Sequence, residues 1–512
     1  MRTIENRLFL KVMVLIILGI FLFEITDVFA APPRGVLKQA THVSISLDWL
    51  DPATCGFSIS AHIPMYLFHD ALVKAMPEGA YTPCLAESWT VSPDTKVYEF
   101  KLRKGVKFHN GDTMTAEDVV FSFWRYKAGQ AKFIHGKTEK VEAVNPTLVR
   151  FNFKEPFPDF LEYFVPGTST IGWVVPKKYV EKVGEAGFKK HPVGAGPYKF
   201  VEFVPGVKLT GEAFEDYWRK IPHIKRIEFH TVLETGTRLA MAKRGDVDIA
   251  TAITGVFYED AKKDTKLGML LSRSATRFIA YIASQWDPKS PWSDPRVRKA
   301  ASLSIDRKTL ANIHFPGSDP IGSLSLKDDP LGVEFPVDPY DPEGAKKLLA
   351  EAGYPKGFHG GTFYPHGSFW EHGEQVATYW KAIGITVDTV LLSWPAWMAM
   401  RQGGKMKGAI FIDPPQAPTL GGTLSYLLGP TSYGNYPDIQ RLWDQYNREV
   451  TPEVRKDLIK NIQRLIHEKT MFILLSSSTS PATLGPNIKG NPAKVQPILW
   501  FTAPFEDIEL AE

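Results

Sequence analysis

The chain has 512 residues, of which 44% are hydrophobic and 23% charged, an ordinary globular balance that excludes a disordered or fibrous protein. Its 60 lysines and arginines against 56 acidic residues leave a net charge of only +4 with no basic run, which argues against a nucleic-acid partner. The length exceeds what one hydrophobic core serves and predicts two or three domains.

Taken in chain order, the first signal is a leader. Arg2, Arg7 and Lys11 precede the apolar run VMVLIILGIFLF, and Glu24, Asp27 and the small-residue site Val28-Phe29-Ala30 follow. This layout predicts a cleavable signal peptide over residues 1–30. The apolar run, Val12 to Phe23, is shorter than the roughly 20 residues that cross a bilayer core. No cysteine stands near the site, so the expectation is an exported, periplasmic protein without a lipid anchor. Cys55 and Cys84 are the only cysteines; export permits them to pair, while the sequence leaves open whether their geometry does. The 13 tryptophans and 32 phenylalanines suit an aromatic-lined cavity and a large core equally.

Strands and helices then interleave. The alternation of Val43, Ile45 and Leu47 predicts a half-buried strand over His42–Leu47, and Tyr98, Phe100 and Leu102 do the same for residues 97–102. Asn110-Gly111 predicts a turn. Thr115 and Asp118 form a capping-box start for a helix whose Val119, Val120, Phe123 and Trp124 make one apolar core stripe. A helix over Thr237–Arg244 should stop at Gly245 and lead into a strand from Val247 to Ala250. Asp341-Pro342 opens a helix that Gly353 and Pro355 close. A helix over 374–383, presenting Val376, Trp380 and Ile383, precedes the strand ITVDTVLL. Such interleaving indicates α/β architecture, and no internal repeat is visible.

Catalytic patterns are scarce. The chain has no HExxH helix and no GxSxG elbow, and Gly194-Ala-Gly196 is followed by Pro197 rather than by the helix a phosphate loop needs. His359, His366 and His372 are seven and six residues apart, so one helical face cannot hold all three, and solvated or hydrogen-bonded histidines are the simpler reading.

Several stretches do resemble one family. LAESWTVSPDTKVYEFKLRKGVKFHNGDTMTAEDVVFSF at 85–123 is similar to the family 5 extracellular solute-binding proteins, the peptide, oligopeptide and nickel-type receptors of bacterial ABC importers. The order continues with PVGAGPYKFVEFVPG, DYWRKIPHIKRIEF, RLAMAKRGDVDIA, DPRVRKAASLSIDRKTL and YDPEGAKKLLAEAGY. The resemblance implies a two-lobed α/β periplasmic binding protein fold (Venus flytrap, class II-like) with an extra inserted domain. One discontinuous lobe would comprise residues 31–55, 191–275 and 476–512, the inserted domain 56–190, and the second lobe 276–475. It further implies a monomer that is not an enzyme, holds no cofactor or metal of its own, and hands a solute to an inner-membrane ABC permease. Closure would be driven by contacts made only when both lobes touch the ligand.

The family pattern also nominates residues. In GAIFIDPPQAP the acid expected to hold a ligand ammonium falls on Asp413, with capping of its own turn before Pro414-Pro415 as the alternative. The loop FYPHGSFWEHG lacks the arginine that dipeptide receptors use for a ligand carboxylate, and Phe369 and Trp370 present an apolar surface instead. That departure argues against a short free peptide clamped at both ends. Trp394 and Trp397 are wall candidates or core, and Trp286 and Tyr433 complete the set. The expected function is a receptor for a peptide or related amino-containing solute. A metal-chelate receptor of the same fold and an exported hydrolase are the competing readings.

Overall fold

The computed structural model describes residues 32–55, 61–128, 130–164, 169–314, 317–326, 329–366, 370–413, 417, 419–429, 432–489 and 504–511. The leader at 1–30 and Phe369 lie outside the described residues.

Ten strands form one hydrogen-bonded series. The order is Tyr198–Val204, Lys208–Ala213, Ile224–Thr231, Arg34–Thr41, Ile249–Thr251, Phe472–Leu484, Gly268–Ile282, Ile410–Asp413, Phe358–Tyr364 and Ile385–Thr389. Two of these are long, and they join the series into one. Residues 268–273 of one pair with 484–479 of the other, next to Ile249–Thr251. Beyond a break in register between Arg273 and Arg277, residues 277–281 pair with 477–472, next to Ile410–Asp413. Two long antiparallel strands therefore cross from one half of the sheet to the other, and the ladder is irregular where they cross.

Each half is covered by its own core. Leu37, Ile227, Phe229, Ile249 and Tyr198 pack with Tyr66 and Phe68 under the first half. The second half is sandwiched: Ile410 and Ile412 face Trp292, Val376 and Trp380, whereas Phe411 faces Trp397, Leu424 and Ile459. This strand is buried on both faces, so it reads as an unbroken apolar run rather than an alternation.

A separate four-stranded antiparallel sheet, ordered Ala86–Val91, Val97–Leu102, Leu148–Phe153 and Thr138–Asn145, lies between chain segments of the first half. Val97–Leu102 buries Tyr98, Phe100 and Leu102 as its alternation predicts. Phe160 fills its face, with ring centroids 4.7 Å from Phe153 and 5.2 Å from Phe151. Gly194 and Gly196, in the PVGAGPYKF stretch, let the chain run against this domain's entry: a Cβ at Gly194 would lie 2.1 Å from the Phe68 carbonyl oxygen.

Local expectations fare unevenly. The capping box at Thr115 and Asp118 is present, Gly245 ends its helix in the left-handed region at φ 76°, and Asp341 caps Pro342–Glu351 through the Gly344 N–H. The strand expected over His42–Leu47 is absent. The strand is Arg34–Thr41, after which Val43 and Ile45 enter the core from a bend and Leu47 starts a short helix while 40% exposed. Alternating burial does not require a hydrogen-bonded neighbour, and none runs alongside there. Trp124 likewise points outward at 44% exposure, leaving the helix stripe to Val119, Val120 and Phe123. The strand predicted from Val247 begins two residues later, as Ile249–Thr251. Cys55 and Cys84 are buried thiols in different cores, not a disulfide.

Candidate ligand-binding site

Strand direction points to a candidate site. Ile249 pairs with Leu484 and Thr251 with Ala482, so this strand runs toward the crossing. Its parallel neighbours, Arg34–Thr41 and Ile224–Thr231, run the same way. On the other side Ile410 pairs with Ile282 and Asp413 with Ile279, so Ile410–Asp413 and its parallel neighbour Phe358–Tyr364 also end facing the crossing. Two sets of parallel strands thus aim their carboxyl ends at one place, where open α/β sheets bind ligands.

Asp413 is fully buried on this rim, and both its oxygens are engaged. Arg401 Nε donates to Oδ2 at 3.0 Å, and Tyr426 Oη donates to Oδ1 at 2.8 Å. The guanidinium is ringed by aromatic faces: Tyr426 at 4.8 Å, Tyr433 at 5.0 Å, Phe411 at 5.5 Å and Tyr281 at 5.8 Å. Burial works against the charge of Arg401, yet Tyr426 and Asp413 outweigh it and raise its pKa. Arg401 is not among the sequence candidates, although its spacing carries a signal. Trp394, Trp397 and Arg401 stand at i, i+3 and i+7, one face of the helix Trp394–Gln402.

Trp394 and Trp397 stack with centroids 5.5 Å apart and planes 16° apart, and His366 lies 4.5 Å from Trp394. Trp397 is fully buried and reaches Phe411, and burial pushes the His366 imidazole down to about 3, so it is neutral near pH 7. Trp370, 40% exposed, opens the helix Trp370–Ala382. Tyr433 donates to the Arg401 carbonyl at 2.8 Å and accepts from the Met406 N–H, so it braces the Arg401 helix. Trp286 follows Ile282 at the end of the long strand opposite to Arg277, packed against Tyr436. The fold therefore brings Asp413, Trp394, Trp397 and Tyr433 together, and Trp286 packs in the same core against Gly434, next to Tyr433. His359 is apart, exposed and beside Asp388 at 3.2 Å.

The family model of bacterial extracellular solute-binding proteins, family 5 Middle, matches residues 80–435. The chain belongs to this family of extracellular solute-binding proteins. It is 27% identical to heme-binding protein A of Haemophilus influenzae over 80% of this chain and 81% of that one. It is 30% identical to the glutathione-binding protein GsiB of Escherichia coli O1:K1 / APEC over 65% of each chain. Among solved structures it resembles the binding protein AgaA in complex with agropinic acid from A.tumefacien R10, with a TM-score of 0.78 and 24% identity over 93% of this chain and 98% of that one. The DppA protein of Helicobacter pylori in complex with the peptide STSA aligns with a TM-score of 0.77 and 21% identity over 93% of this chain and 98% of that one. These likenesses agree in fold, and the two-lobed architecture implied by the sequence is the one observed.

This solute-binding protein also carries a polar grip between its inserted domain and the second half of its sheet, which sequence reasoning missed. Glu162, in the turn Phe160–Phe164, accepts from Tyr81 Oη at 2.5 Å and from the Thr419 hydroxyl that caps the helix Leu420–Leu428. Tyr163 Oη lies 3.2 Å from Ser425 Oγ on that helix. Asp159 pairs with Arg455, whose guanidinium sits over the Tyr446 ring. Burial, with the neighbouring Asp159 charge, pushes the Glu162 carboxyl up to about 7. In the sequence these acids are hidden in PFPDFLEYF, whose aromatic residues signal core. Among the described residues no helix is long and apolar enough to cross a membrane, and no group of three metal-ligating side chains is present.

Proposed function

We propose that the protein is the periplasmic receptor of an ABC importer, taking a peptide or related amino-containing solute between the two sheet halves and passing it to an inner-membrane permease. The observation that carries this reading is the convergence of both sets of strand carboxyl ends on the two crossing strands. The expected lobe boundaries at 275/276 and 475/476 fall within these strands, at or beside the two irregularities of their ladder, Arg273/Arg277 and Phe278/Ile279, where a hinge would need the pairing to be weakest. Asp413 contributes a neutralised ion pair with Arg401 to the rim, and the Trp394–Trp397 stack contributes a flat apolar surface. Trp370, exposed at the start of its helix, and Phe369 before it in the chain remain further candidates for the site. Because Arg401 already neutralises Asp413, a ligand ammonium would meet the pair rather than a lone carboxylate. The names of the relatives, one glutathione-binding and one peptide-bound, support an amino-containing ligand.

The test is ligand-dependent stabilisation without turnover. Protein stripped of ligand by unfolding and refolding should melt higher with glutathione or the peptide Ser-Thr-Ser-Ala, by RT ln(1 + [L]/Kd), about 2.7 kcal/mol at a hundredfold excess over Kd. The compound should be recovered intact. Indifference to every amino-containing compound, or steady conversion of one, would overturn the reading.

A further inference from the structure

Six arginines are buried among the described residues, and five of them are well provided for. Arg125 pairs with Asp51 and Glu185, and Arg401 with Asp413. Arg238 donates to the carbonyls of Thr251, Val232, Leu233 and Ala252 and to the Thr235 hydroxyl. Arg298 and Arg307 are saturated by carbonyls and hydroxyls in the same manner.

Arg277 is the exception. It is 1% exposed, its Nη2 donates to the Ala417 carbonyl at 3.1 Å and to Thr423 Oγ1, and its Nε and Nη1 have no partner among the described residues. No carboxylate comes within ion-pair distance among the described residues. Asp329 acts on it only through its charge, and burial lowers its pKa to about 10, so the guanidinium stays charged near pH 7. A buried cation with idle N–H donors is costly, and such a group persists where something else uses it.

Its place suggests the user. Arg277 is the first residue of the long strand beyond the register break, two residues before Ile279, which faces Asp413. Thr423, which it holds, lies on the helix that Glu162 and Tyr163 grip through Thr419 and Ser425. Arg277 therefore sits where the inserted domain meets the second half, at the carboxyl-end rim.

We infer that Arg277 is the carboxylate-binding residue of the solute site, its Nε and Nη1 being reserved for an anionic group on the ligand. This deepens the receptor reading and rests on it. In the open protein water would satisfy the guanidinium; closing empty strands its donors; closing over a carboxylate pairs them. Closure is thereby made conditional on an anionic group, and the arginine missing from the 363–373 loop has a substitute on the crossing strand.

Two measurements on the full chain decide this. The first needs no ligand. Arg277→Met should leave the ligand-free melting temperature unchanged or raise it by about 1–3 °C, whereas Arg298→Met should lower it. A fall for Arg277→Met like that for Arg298→Met would make Arg277 a structural residue and overturn the inference. The second compares Ser-Thr-Ser-Ala as free acid and as C-terminal amide by calorimetry. Wild type should prefer the acid by about 10- to 100-fold, and Arg277→Met should lose the preference. Equal affinity of wild type for acid and amide would overturn it. If neither peptide form binds, the peptide reading fails by itself. Sodium acetate against sodium chloride at equal ionic strength then decides, by raising the melting temperature of wild type but not of Arg277→Met; no such difference overturns the inference.

Discussion

The two rims that face each other across the crossing strands are built from the same topology and spend their polar groups differently. On the first rim Arg238 is used up on carbonyls of its own chain, and His42 sits 3.3 Å from Thr251 with its imidazole held down at about 3 by burial. The second rim carries a buried ion pair, a tryptophan stack and an arginine with idle donors, drawn from separate stretches of the chain. The buried arginine of the first rim is fully engaged, and Arg277 of the second is not.

That contrast can be broken in several ways, beginning with the largest effect. Asp413→Asn leaves the Arg401 guanidinium buried without its counter-charge and should cost about 3–5 kcal/mol of unfolding free energy in the absence of ligand, read by chemical denaturation. A stability change near zero would mean that Asp413 serves only the ligand. Arg238→Met strands several carbonyls on the first rim and should cost about 2–4 kcal/mol, with ligand affinity preserved once the protein is folded. Loss of affinity beyond the loss of folded fraction would give the first rim a recognition role.

The grip at Glu162 gives a pH signature. Its folded pKa of about 7 lies above the ordinary carboxylate value of 4.5, so the folded, gripped state binds a proton that the released state does not. Stability from this group is fully present below about pH 4.5 and is lost as pH rises through 7. Discounted for the partial exposure of Glu162, the effect should be about 1–2 kcal/mol, with Asp159, also raised by burial, acting in the same direction. Melting temperatures measured from pH 5 to pH 8 should decline in wild type and flatten in Glu162→Gln. The smallest effect belongs to Trp370→Ala, which should change stability by less than about 0.5 kcal/mol while weakening binding of an apolar ligand.

Much was legible in the sequence where the cause is local. A capping acid, a left-handed glycine and the alternation of Tyr98, Phe100 and Leu102 act over a few residues, and they appear where expected. Misreadings came where a pattern records burial but not the partner. Val43 and Ile45 are buried without a strand, and Trp124 shares helical spacing with core residues yet faces outward. Of the candidate site, the sequence nominated Asp413 and the Trp394–Trp397 pair, and nothing in it pointed to the burial of Arg401 and Arg277 or to the Glu162 contacts.

By itself, then, the chain's order of motifs determined the family and the α/β alternation, because those depend on residues near one another in sequence. Only the tertiary structure decided which charges are already spent. Arg401 and Asp413 are separated by 12 positions, and Glu162 and Thr419 by 257, and no periodicity links them. Whether a buried charge finds a partner depends on desolvation and on distances of about 3 Å, which are set when the two halves of the sheet and the inserted domain pack together.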